Sequence, residues 1–97
     1  MTGKYPFDEA ARMLKVVAHP ARMEIICLLE GKTLTVKEIQ ALADIKQSMA
    51  SQHLGALTGK GILSREKKGN EVYYSIKKHE VLKLMSCIRG CCGANTK

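Results

Sequence analysis

The sequence predicts a mainly α-helical domain with one β-hairpin, in the order α-α-α-α-β-β-α. Three observations predict it. Apolar residues recur at helical spacing in successive stretches up to residue 58 and again after residue 79. Between those stretches the pattern turns strand-like, in Ile62-Leu63-Ser64-Arg65-Glu66-Lys67 and Glu71-Val72-Tyr73-Tyr74-Ser75-Ile76. Gly, Pro and Asn fall at the joints. A chain of 97 residues, 45% of them apolar, builds one core and no deep enzyme cleft, so residues 1–97 read as one domain.

The first helix is read over about residues 7–18, with Phe7, Ala10, Ala11, Leu14 and Val17 on one face. His19-Pro20 ends it, because the residue before proline is biased away from helix. Pro20 then suits the first turn of a second helix, whose interior from Ile25 to Leu29 is apolar on nearly all sides and which Gly31 stops. Thr35-Val36-Lys37-Glu38 has the form of a capping box and opens a short third helix, VKEIQALAD. After a brief turn a fourth helix runs over about residues 47–58, with Met49, Leu54 and Leu57 as apolar anchors and Gly59 and Gly61 as breakers. The hairpin, about residues 62–76, turns around Lys68-Gly69-Asn70. A last helix, about residues 79–90, carries Val81, Leu84, Met85 and Ile88.

Lys and Arg number 16 against 9 Asp and Glu, a formal charge of +7 that favours a polyanionic partner, nucleic acid first. No apolar run has transmembrane length, and Met1–Pro6 lacks the apolar stretch of a signal peptide. The expectation is a cytoplasmic protein with reduced thiols, no membrane contact and no cofactor.

Two short helices joined by a tight turn and followed by a basic hairpin form the arrangement of a winged helix-turn-helix. Its second helix needs short polar side chains near the N-terminus to reach bases and phosphates, and Gln47, Ser48, Ser51, Gln52 and His53 supply them. Lys46 and Lys60 flank that helix. Arg65, Lys67 and Lys68, with Asn70 at the tip, make a basic wing. The expected DNA contacts are Lys46, Gln47, Ser48, Ser51, Gln52, His53, Lys67, Lys68 and Asn70, on a double-stranded operator.

The motifs Ala18-His19-Pro20-x-Arg22, Ser51-x-His53-Leu54 and Gly69-x-x-Val72-Tyr73-Tyr74 together resemble the ArsR-type (arsenical-resistance-regulator) winged-helix repressors, over roughly residues 10–90. The resemblance implies a homodimer built through the first and last helices, a palindromic operator, and release of DNA when an inducer is sensed. One departure is Lys46, where the family usually has serine before the recognition helix.

The resemblance also bears on the inducer. Thr35 and Lys37 stand where some metal-sensing members carry a C-x-C pair, and Lys78, Glu80, Cys91 and Ala94 stand where others bind zinc or nickel. Neither set is intact, so no metal is expected at them. The three histidines, His19, His53 and His79, read as structural or surface residues, with His79 placed to cap the last helix. Members that sense reactive sulfur carry one cysteine in the second helix and one near the end of the last. Cys27 matches the first, and Cys91 or Cys92 the second. Joining them through sulfur would pull the last helix against the second. The alternative inducer is a thiophilic metal or metalloid (arsenite, cadmium, lead) held by Cys87, Cys91 and Cys92. Without those partners, Cys27 reads as a small core residue. An enzyme is not expected: the only nearby nucleophile and base, Cys27 and His19, lie ~12 Å apart along a helix.

Overall fold

A computed structural model describes residues 6–92. The predicted fold class is the one found, with one strand added. The elements are α1 (Phe7–Val17), α2 (Pro20–Leu28), β1 (Leu34–Thr35), α3 (Val36–Ala43), α4 (Gln47–Gly59), β2 (Leu63–Lys68), β3 (Glu71–Ile76) and α5 (Glu80–Cys91). The strands form one antiparallel sheet in the order β1-β3-β2. β1 is the addition. It pairs Leu34 with Tyr74 and Thr35 with Tyr73.

Side-chain chemistry accounts for the joints. Pro20 opens α2, where its missing N–H costs nothing. Gly31, at φ +69°, takes the left-handed conformation in the turn beyond α2. The capping box forms: Thr35 Oγ1 accepts from the Glu38 N–H at 3.1 Å, and the Thr35 N–H donates to Glu38 Oε1 at 2.8 Å. α3 stops one residue early, because Asp44 turns left-handed at φ +55° and leads into α4. Gly59 does not break α4 but is its last residue. In the hairpin only Gly69 is left-handed, the glycine-first pattern of a type II′ turn; Asn70 is not. His79 occupies the N-cap of α5, but its side chain makes no cap hydrogen bond.

The core is centred on Ile25 and Ile26 of α2, with Val17, Leu29, Ile39, Leu54, Leu57, Ile62, Leu63, Val81 and Met85 packed around them. Ala50, not Met49, is the buried anchor at the start of α4; Met49 is 40% exposed. α1 buries Val17 alone, and its Phe7, Ala10, Ala11 and Leu14 face outward. An ion pair between Lys60 and Glu9, 3.2 Å, spans from the end of α4 to α1. No described helix is long and apolar enough to cross a membrane.

Candidate nucleic-acid interface and thiol site

The core side of α4 is set by Ala50, His53, Leu54 and Leu57. Gln47, Ser48, Ser51 and Gln52 are exposed, and Ser48, Ser51 and Gln52 share a face by their three- and four-residue spacing. Lys46 is the N-cap, exposed, with no side-chain cap bond; its carbonyl accepts the Ala50 N–H at 2.9 Å. No acidic residue sits in the first turn. The open N–H groups of that turn and the Lys46 ammonium therefore present a positive end to an anion.

Beside this surface a cleft of about 320 Å³ opens between α3, α4 and the hairpin. Lys37 and Gln40 line it from α3, Gln47 and Ser51 from α4, and Arg65 and Asn70 from the wing. Neither Lys37, noted in the sequence only at a C-x-C position, nor Gln40 was expected at this surface. Their signal was the capping box: it fixes where α3 starts, and so sets both residues on the α3 side of the recognition helix. In the hairpin, Arg65 pairs with Tyr74 and Lys67 with Val72, so Arg65 and Lys67 share one face of the ribbon. Lys68 lies on the other face, its ammonium 5.8 Å from the centre of the Tyr73 ring and opposite Glu71.

His53 corrects one expected DNA contact. Its side chain is 1% exposed and points into the protein, not toward the face of Gln52. The reason is helical phase, since His53 lies three residues from Ala50 and four from Leu57, on their side. Its Nδ1 accepts from Arg22 Nε at 3.0 Å, and its ring packs against that of His19. Burial, then the positive charges of His19 and Arg22, hold the His53 imidazole below its ordinary value of 6.5.

The thiols lie on α2 and at the end of α5. Cys27 is half-buried against the core, and Cys87, Cys91 and Cys92 are exposed on α5 and its C-cap. All four are free. Arg89 Nη1 donates to Cys27 Sγ at 2.9 Å, across 62 positions of sequence. This contact brings the last turn of α5 to Cys27, with Cys91 and Cys92 two and three positions beyond Arg89. Arg89 had no part in the sequence reading. Among the described residues no three His, Cys, Asp or Glu side chains are grouped to hold a metal ion, so Cys87, Cys91 and Cys92 are not assembled as ligands in this conformation. Ala94 and Gly93 lie outside the described residues.

Residues 17–66 match the family model described as a helix-turn-helix domain. The transcriptional repressor PagR of Bacillus anthracis is 38% identical over 86 residues, covering 84% of this chain and 86% of PagR. The structure of HlyU from Vibrio cholerae superposes with a TM-score of 0.82 at 27% identity, covering 92% of this chain and 97% of that one. HlyU is described as a transcriptional activator, and a second structure of it is described as reduced. A winged helix-turn-helix DNA-binding domain from Mycobacterium bovis, described as homodimeric and as a possible ArsR-family regulator, superposes with a TM-score of 0.78 at 26% identity, covering 94% of this chain and 89% of that one. With its helix-turn-helix, its three-stranded wing and these relatives, the chain belongs to the ArsR-type family of winged helix-turn-helix transcriptional regulators.

Proposed function

We propose that the protein is a homodimeric repressor that leaves its operator when Cys27 is joined through sulfur to Cys91 or Cys92. The observation that carries this reading is the 2.9 Å contact between Arg89 and Cys27, which holds the last turn of α5 at the α2 thiol. The outward apolar face of α1 supports subunit contact there, and α5 packs against α2. Lys46, Gln47, Ser48, Ser51, Gln52, Lys67, Lys68 and Asn70 contact the operator, joined by Lys37 and Arg65 from the cleft.

The inducer is a reactive sulfur species such as a hydropersulfide. One cysteine thiolate attacks the outer sulfur of the hydropersulfide, and the S–S bond breaks as a thiol leaves. The second thiolate attacks the resulting cysteine persulfide and expels hydrosulfide. Two thiols are thereby oxidised by two electrons, and the transferred sulfur is reduced. With a polysulfide, the first attack leaves a cysteine hydrotrisulfide and releases the shortened polysulfide; the second thiolate attacks its middle sulfur and expels hydrosulfide, so one added sulfur stays in the link. Closing the link displaces Arg89 from Cys27 and draws α5 against α2. In a dimer built through α1 and α5, that movement alters the spacing of the two recognition helices.

The test is operator release monitored by fluorescence anisotropy. An inorganic polysulfide should release DNA from the wild type and leave Cys27→Ser bound. Release from Cys27→Ser by arsenite or cadmium, equal to that from wild type, would replace this reading with a metalloid sensor.

A further inference from the structure

Arg22 reaches from α2 in two directions. Its Nη1 donates to the Val16 carbonyl in the last turn of α1, at 3.0 Å, and its Nε donates to His53 Nδ1 in α4, also at 3.0 Å. One planar guanidinium thus joins the helix with the outward apolar face to the helix that carries Gln47, Ser48, Ser51 and Gln52. The His19 ring backs the joint, 4.4 Å from that of His53 and tilted by 57°. These three residues come from the Ala18-His19-Pro20-x-Arg22 and Ser51-x-His53-Leu54 motifs.

The joint needs a neutral His53. Because Nδ1 accepts, the ring hydrogen sits on Nε2, which is buried without a partner; Nδ1 of His19 is buried without one too. A protonated ring carries hydrogen on both nitrogens, cannot accept from Arg22, and sets an imidazolium beside a guanidinium. The charged or titratable groups acting on the ring are His19, from the α1–α2 junction, and Arg22, from α2. α1 contributes the Val16 carbonyl through Arg22, and no carboxylate among the described residues acts on it.

We propose that Arg22 is a positioning residue that fixes the recognition helix relative to α1 through neutral His53, and that protonation of His53 opens this joint and lowers operator affinity. The proposal rests on α4 being the DNA-reading helix. Its sign is opposite to the general trend, in which added positive charge tightens DNA binding. It is independent of the cysteines.

The probe is a duplex selected by the protein from a random-sequence pool, titrated by fluorescence anisotropy between about pH 8 and about pH 5. Wild-type affinity should fall on acidification by up to about tenfold per pH unit for each subunit of the dimer through the His53 transition. His53→Gln keeps an amide oxygen to accept from Arg22 and does not titrate, so its affinity should stay flat or rise over the same range. Arg22→Gln should bind weakly at every pH and lose the acid step. Parallel wild-type and His53→Gln curves would overturn the proposal alone, whereas a wild type that binds no duplex at any pH overturns the DNA-reading assignment as well. Ring NMR of the wild type needs no variant. His53 should protonate at lower pH in the DNA complex than in the free protein, and equal values would also overturn the proposal.

Discussion

At Lys46, stability and the proposed DNA contact favour different side chains. The residue caps α4 with its carbonyl but not with its side chain. Lys46→Ser supplies a side-chain cap and should raise unfolding stability by about 1 kcal/mol in denaturant titrations. The same change removes a cation from the phosphate-facing end of the helix. The slope of log affinity against log salt should become shallower by roughly 0.9 per subunit. Asp44 is a second local constraint, being the only non-glycine residue among those described with positive φ. Asp44→Val should cost ~1–2 kcal/mol, measured the same way, because a β-branched side chain resists the left-handed region, while Asp44→Gly should not carry that loss. His53 supplies a pH dependence. Its folded-state value lies below the ordinary 6.5, so folding favours the neutral ring. Its contribution is fully present above pH 6.5 and is lost as pH falls from there through the depressed folded value. Thermal unfolding of wild type should therefore show an acid-side slope in that window, which His53→Gln lacks.

At the scale of elements, helices were legible where apolar period and stop signals agreed. The α1–α2 joint at His19-Pro20 and the capping box of α3 follow from sequence-local chemistry, and both form. β1 was not legible, because two residues show no alternation and its pairing partner lies some 40 positions downstream. Met49 was misassigned because apolarity was read without phase; Ala50 sits where the core requires a small side chain. His53 illustrates the converse. It is polar, so composition suggested the surface, yet it lies at the middle of α4, where Arg22 and His19 meet it from distant positions. Cys27 was legible as a functional thiol only through its counterparts in the resemblance, and Arg89 had no local signal. Within the core, Leu57→Ala should destabilise by ~2–5 kcal/mol, since the residue is fully buried between α4 and the elements beneath it. On the wing, Arg65→Ala and Lys67→Ala share a strand face and should weaken operator binding mainly at low salt.

At the scale of the whole molecule, the proposed function uses three regions: an outward apolar face on α1, the exposed face of α4 with its basic wing, and the thiols of α2 and the end of α5. Leu14, 45% exposed, belongs to the first. Leu14→Glu should yield monomers in analytical ultracentrifugation and weaken operator binding well beyond the loss of one contact, because a dimer engages two half-sites at once. Cys27 is the thiol on which the proposed switch depends, and trypsin separates its candidate partners. Cleavage after Arg22, Lys32, Lys83 and Arg89 leaves Cys27, Cys87 and the Cys91-Cys92 pair on three different peptides. The most direct measurement is therefore tryptic mass mapping of the protein as an inorganic polysulfide releases it from DNA. The Cys27 peptide should become joined to the Cys91-Cys92 peptide through two or more sulfurs, in step with release. Release with Cys27 still a free thiol, or a link confined to Cys87, Cys91 and Cys92, would contradict it.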